Sequence, residues 1–201
     1  MNKLELCNAA IIRLGSSPIT SLDDNNKRAK LCKIEFPRVK KELLANHPWR
    51  FALKREVLSD DNGPDEFNVW GQSFDLPFDY IRSYRVGSSG NSTGITFFDD
   101  CRGSAEASRY TIEGNTLFAN STSIDLNYMA DVDESAFRSY FDEVIILKLA
   151  LDLSYSLIQS NETTARLDLQ YKDALRNARS YNAQEASTHD FVINDWTNSR
   201  L

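Results

Sequence analysis

The sequence predicts an α+β protein: an antiparallel four-helix bundle drawn from both ends of the chain, with an antiparallel β domain inserted between its halves. Apolar residues recur at spacings of three and four over residues 1–50 and 131–186, the signature of helices with one buried stripe. Over residues 51–130 the period falls to two, and aromatic and β-branched residues dominate. Turn residues punctuate that middle region, which reads as a sandwich or barrel-like domain. Beyond it, residues 187–201 read as an extended C-terminal tail with too few apolar residues to form a core.

Leu4, Cys7, Ile11 and Leu14 form the first stripe, and Gly15 stands where a helix ends on a residue of positive φ. Pro18 bars further helix, and Asp23-Asp24-Asn25-Asn26 offers N-cap oxygens to a second helix. In that helix Ala29, Cys32, Phe36, Val39 and Leu43 face inward, while Lys30, Lys33, Arg38, Lys40, Lys41 and Glu42 turn away. Pro37 predicts a kink rather than a break. Pro48 then pushes His47 out of the helical region, and the chain enters an alternating strand at Phe51, Leu53, Arg55 and Val57.

Asp60-Asp61-Asn62-Gly63-Pro64-Asp65 reads as a turn, residues 74–86 hold a strand entered through Pro77, and 87–94 read as a glycine- and serine-rich loop. Gly114-Asn115 is a two-residue hairpin turn that sets Ile112 opposite Leu117 and Tyr110 opposite Ala119. Ile124, Leu126 and Tyr128 continue the alternation. Asp131 with Glu134 reads as a capping box opening a third helix over 137–158. That helix is apolar on most sides, which marks Phe137, Phe141, Val144, Ile145 and Leu149 for a bundle centre or a contact between subunits. Leu167, Tyr171, Ala174, Ala178 and Tyr181 stripe a last helix after a polar turn at 159–163.

The chain of 201 residues, net charge −6 and pI near 5.0, is large enough to hold its fold without disulfides. Its three cysteines include Cys7 and Cys32 at inward helical positions, where a free thiol packs as a small hydrophobe. Lys3 and Glu5 interrupt any leader-like start, and no apolar run approaches the roughly 20 residues of a membrane span, so a cytoplasmic site of synthesis is expected. The negative balance argues against a protein that grips nucleic acid, which needs clustered Lys and Arg. The densest cationic stretch, Lys27 to Lys41, reads as a solvated face or a contact for an acidic protein neighbour.

No catalytic or metal constellation is legible. His47 has no second ligand at metal spacing and reads as a turn residue, and His189, Ser187 and Cys101 lack any triad or elbow pattern. Asp60, Asp61, Asp65, Glu66, Asp99 and Asp100 lie on β-domain loops, where two carboxylates at about 5–9 Å would suffice for glycoside hydrolysis; that is the alternative to a structural role. Gly87, Gly90 and Gly94 lack the Gly-Lys-Ser/Thr end of a phosphate loop. No cofactor is implied. Lys54, Arg55, Arg82 and Arg85 are candidates for charge pairing across a sheet or a subunit boundary, and Trp49 and Trp70 read as core.

Leu6-Cys7-Asn8-Ala9-Ala10, Leu14-Gly15, Pro18-Ile19, Ser21-Leu22-Asp23-Asp24 and His47-Pro48-Trp49-Arg50-Phe51-Ala52 follow one another in an order that resembles the amino-terminal half of tail tubular protein A, the head-to-tail adaptor of short-tailed bacteriophages. Leu76-Pro77-Phe78-Asp79-Tyr80-Ile81-Arg82, the strands of 110–128, the last helix and Trp196-Thr197-Asn198-Ser199-Arg200 continue the resemblance along nearly the whole chain. It implies a structural virion protein, assembled in the host cytoplasm as a homo-oligomeric and dodecameric ring. The portal protein would sit above this ring and the tail nozzle below, with viral DNA passing through unbound. By analogy with that family, Phe191, Val192, Ile193, Trp196 and Arg200 are expected to dock on the portal or on a neighbouring subunit. An acidic balance suits such a conduit, because a wall that repels phosphate lets DNA slide.

Overall fold

The computed structural model describes residues 1–59, 70–88 and 110–185. It is an α+β fold with four helices and two three-stranded antiparallel sheets. In chain order the elements are α1 (Lys3–Arg13), α2 (Lys27–Asn46), β1 (Leu53–Ser59), β2 (Gln72–Asp75), β3 (Tyr80–Ser88), β4 (Tyr110–Glu113), β5 (Thr116–Ala119), β6 (Ser123–Ala130), α3 (Ser139–Leu157) and α4 (Asn161–Gln184). Short 3-10 turns at Arg50–Ala52 and Glu134–Ala136 join the helical and β layers.

The helix ends follow from local chemistry. Asn2 and Glu5 make a capping box on α1: the Asn2 side chain accepts from the Glu5 amide at 2.8 Å, and Glu5 Oε2 accepts from the Asn2 amide at 2.9 Å. At the other end Gly15 has φ +71°, the Gly15 amide donates to Ile12 and the Ser16 amide to Ile11, which is a Schellman closure. Asn26 Oδ1 caps α2 through the Ala29 amide at 2.8 Å, and α2 runs as one helix through Pro37.

Asp131 and Glu134 do not cap a third helix. Glu134 opens a 3-10 turn, Phe137 is extended (φ −64°, ψ 145°), and α3 starts only at Ser139 with no side-chain cap. Lys40 explains the detour. Expected in solvent, its ammonium lies 2.9 Å from Asp131 and 3.5 Å from Glu134, and over the Phe137 ring, so α2 engages both acids.

Two apolar clusters organise the molecule. The larger takes inward residues from all four helices together with Trp49, Ala52 and Met129. The smaller is shared by both sheets and includes Leu58, Phe74, Leu117, Ile124, Leu126 and Tyr128. The sheet ordered β1-β6-β3 serves both: alternation along β6 sends Met129 to the helices and its even-numbered neighbours to the second sheet, ordered β2-β5-β4. The β4–β5 hairpin has the expected register, Ile112 opposite Leu117 and Tyr110 opposite Ala119, about Gly114 at φ +62°.

One strand expectation is met and another is corrected. Residues 74–86 do hold a strand entered through Pro77: the chain leaves the second sheet after Asp75, turns at 76–79 and enters the first as β3 at Tyr80. In β1 the expected apolar face is split: Leu53 packs against the helical core but Val57 is 62% exposed, while on the opposite face Leu58 is buried and the exposed Lys54 and Glu56 bond Asp79 and Tyr128.

Candidate interaction site

The stretch where α2 hands over to β1 is held by three side chains. Trp49 is fully buried: its Nε1 donates to the Leu43 carbonyl at 2.8 Å, and its ring meets Phe141 and His47 edge-on at 4.9 and 4.7 Å. Asn182, 4% exposed near the end of α4, clamps the same turn. Its Oδ1 accepts from the Arg50 amide at 2.8 Å, while Nδ2 donates to the Pro48 carbonyl at 3.1 Å and to His47 Nε2 at 3.0 Å. Burial, then Arg179 and Arg82, hold the His47 pKa below its ordinary value, so the imidazole is the neutral acceptor this geometry needs. Arg82 completes the junction by donating to the Ala45 carbonyl at the end of α2, at 2.8 Å.

On the other side of β1 lies a polar knot. Asp79, buried in the turn before β3, accepts from Lys54 of β1 and, at 3.0 Å, from the Tyr128 hydroxyl of β6, which also lies 3.3 Å from Glu56. Its backbone carbonyl accepts from the Asp131 amide at 2.7 Å. Burial pushes the Asp79 carboxyl up, but Lys54 and Tyr128 together hold it below the ordinary value. The same burial and the two neighbouring carboxylates drive the Tyr128 hydroxyl well above its usual range. A shallow cavity of about 330 Å³ opens over this knot, rimmed by Pro77 and by Phe78, whose side chain stands wholly in solvent at 101% exposure. The ammonium, carboxylate and phenol of this cluster answer one another and tie β1, the turn before β3 and β6 together.

The residues marked for a subunit contact lie elsewhere. Phe137, Phe141, Val144, Ile145 and Leu149 are each 8% exposed or less, covered by the other helices and by Trp49 and Phe51. That corrects the assignment of an inter-subunit helix to them: one chain suffices to bury an all-round apolar helix, since α1, α2 and α4 all pack against it. On the helices the most exposed large apolar side chains among the described residues are Ile34 at 69%, Tyr155 at 78% and Leu169 at 65%. The cations of α2 are answered largely within the chain: Lys33 pairs with Asp23, and Arg38 with Glu35, Glu42 and Asp152.

Phe191, Val192, Ile193, Trp196 and Arg200 lie outside the described residues, as do His189, Cys101 and the loop carboxylates Asp60, Asp61, Asp65, Glu66, Asp99 and Asp100. Among the described residues no group of three or more His, Cys, Asp or Glu could hold a metal ion, and no helix is long and apolar enough to cross a membrane.

Sequence reasoning missed the most connected polar residues. Asn182 carries no local signal. Asn8 likewise reads as an ordinary helical residue, yet its amide bonds both the Ile19 amide and the Ile19 carbonyl, at 2.8 and 3.0 Å, and so ties the loop after α1 back to that helix. The fold and its junctions define a helical and β two-core protein whose described polar clusters join elements to one another. No protein-family model matches the chain, and no curated protein matches it.

Proposed function

We propose that the chain is a structural subunit of a virion, a head-to-tail adaptor that assembles as a ring between portal and tail nozzle and lines the path of the ejected DNA. The observation that carries this reading is the ordered resemblance that runs from Leu6 to Arg200. Its motif residues sit where the architecture is decided: Asn8 and Ile19 in the first loop, Gly15 at a helix end, Trp49 at the helix-to-sheet turn, and Asp79 in the polar knot. The reading includes the finer architecture: α1 to α4 act as one antiparallel four-helix bundle sharing a single core, with residues 51–130 as an inserted β domain.

Contacts between copies in such a ring fall to exposed apolar side chains, of which Ile34, Tyr155 and Leu169 are the largest on the helices. The tail residues Phe191, Val192, Ile193, Trp196 and Arg200 engage the portal or the next subunit. The net charge of −6 is of the sign a DNA conduit requires.

The test is to mix the purified chain with portal rings of its phage and view the product by negative-stain electron microscopy beside the chain alone. A second ring stacked coaxially on the portal is the expected outcome. A chain that binds no portal refutes the adaptor reading and directs attention to the β-domain carboxylates.

A further inference from the structure

His47 sits where α2, α4 and β3 meet, and its fit there depends on one lone pair. The Asn182 amide cannot turn over: its Oδ1 accepts from the Arg50 amide at 2.8 Å and its Nδ2 donates to the Pro48 carbonyl at 3.1 Å, so both ends are committed to backbone groups of fixed polarity. Nδ2 also faces His47 Nε2 at 3.0 Å, which must therefore be the unprotonated nitrogen. A proton on Nε2 would set donor against donor. Turning the Asn182 amide to receive that proton would put Nδ2 against the Arg50 amide and Oδ1 against the Pro48 carbonyl, two mismatches for one bond gained.

The surroundings do not offset the charge. Arg82 of β3 bonds the Ala45 carbonyl at 2.8 Å, two residues before His47, and so already occupies the end of α2 that would favour a cation. Arg179 lies one helical turn before Asn182 on α4, and Arg50 adds a third cation in the turn itself. The Trp49 ring meets the imidazole edge-on. Among the described residues no carboxylate pairs with His47; Glu185, three residues beyond Asn182, lies 4.0 Å from Arg138 instead.

We propose that this junction is an acid-operated latch: protonation of His47 Nε2 breaks the Asn182 clamp and detaches the end of α4 from the turn at 47–50, while the helical core stays closed. The core does not hang on the latch. Trp49 keeps its bond to the Leu43 carbonyl and its contact with Phe141, neither of which passes through Asn182, and Leu167 and Ala178 anchor α4 in the main cluster. The opening is local, and each opening exposes an imidazole that takes up one proton. Linkage then raises the opening constant about tenfold for each pH unit below the ordinary imidazole value of 6.5, until the closed form itself binds the proton. The latch holds whether or not the chain is an adaptor.

Amide hydrogen exchange of the full chain, read by NMR at a series of pH values and divided by the intrinsic rate at each, tests it. The Arg50 amide is the reporter, since its bond is to Asn182 itself. Its opening constant should rise about tenfold per pH unit below 6.5 in the native chain and stay level in His47→Gln, whose side chain keeps an acceptor and takes up no proton. Low urea should speed exchange in α3 and leave Arg50 nearly unchanged, as a local opening requires. The ring resonances of His47, followed in the same samples, give its titration directly. An equal pH response in the two chains overturns the proposal. So does an imidazole that becomes protonated while the Arg50 amide keeps its protection, a result that needs no variant and decides the matter even if His47→Gln fails to fold. A single opening constant shared by Arg50 and α3 overturns it as well, because the whole molecule would then be opening at once.

Discussion

Replacing Asn182 with alanine isolates the clamp between the end of α4 and the turn at His47-Pro48-Trp49-Arg50. The substitution removes three hydrogen bonds, from the Arg50 amide and to the Pro48 carbonyl and His47 Nε2, at a side chain only 4% exposed. At about 1 kcal/mol net for each, with the Arg50 amide left unanswered in a half-buried site, the loss is about 3 kcal/mol. A chain of this size loses roughly 2–4 °C of Tm per kcal/mol, so Tm should fall by roughly 6–12 °C. Urea titration followed by circular dichroism gives the free energy, and thermal melting gives the shift. Gln184→Ala, at an exposed position on the same helix, controls for helix propensity. Asn182→Asp keeps the acceptor for Arg50 and should fall between the two. A loss below about 1 kcal/mol for Asn182→Ala would refute the clamp.

Trp49→Ala leaves a large cavity between α2, α3 and the turn, and should cost about 3–5 kcal/mol in the same titration. Trp49→Phe loses the bond to the Leu43 carbonyl and part of the ring volume, and should cost less. Gly15→Ala meets no atom within 4 Å of the new Cβ, so its cost is confined to backbone strain at φ +71°, about 1–2 kcal/mol with an unchanged m value. Because the folded His47 pKa lies below its ordinary 6.5, the unfolded chain binds the extra proton first as pH falls. His47 should therefore contribute a loss of stability as pH drops through 6.5 toward the folded pKa, and His47→Gln should flatten that part of the profile. Cys7 and Cys32 are wholly buried free thiols, and the neighbouring Cys32 together with burial drives the Cys7 thiol far above its usual range. Peptide-level alkylation should leave both unlabelled in the native chain and label both in urea.

What the sequence made legible were features coded within a few residues. The β4–β5 hairpin register followed from Gly114-Asn115 and strict alternation on either side, and the buried stripe of α2 followed from five residues at helical spacing. The misreadings share a cause, which is that the deciding partner is distant in sequence. Lys54 and Glu56 bond Asp79 and Tyr128 from the face of β1 that also carries the buried Leu58, and the Asp131–Glu134 segment is shaped by Lys40 rather than by its own helix. The apolar surround of α3 looked like a demand for neighbouring subunits because periodicity along one helix cannot count the helices that will cover it. Residues 187–201 read in the sequence as an apolar segment, and a docking role for them is what the resemblance implies.

The Asn182 clamp also bears on the order of events at the ribosome. Pro48 and Asn182 are separated by 134 positions, so at about 5–20 residues per second the turn waits roughly 7–27 s for the residue that closes it. For the first part of that interval, until residues 139–157 are translated, α1 and α2 have been made, but α3, which covers much of their inward faces, has not. The nascent amino-terminal hairpin thus carries Phe36, Leu43 and Trp49 uncovered while the β region is translated, a window in which a chaperone that holds apolar helices would raise the yield of folded chain.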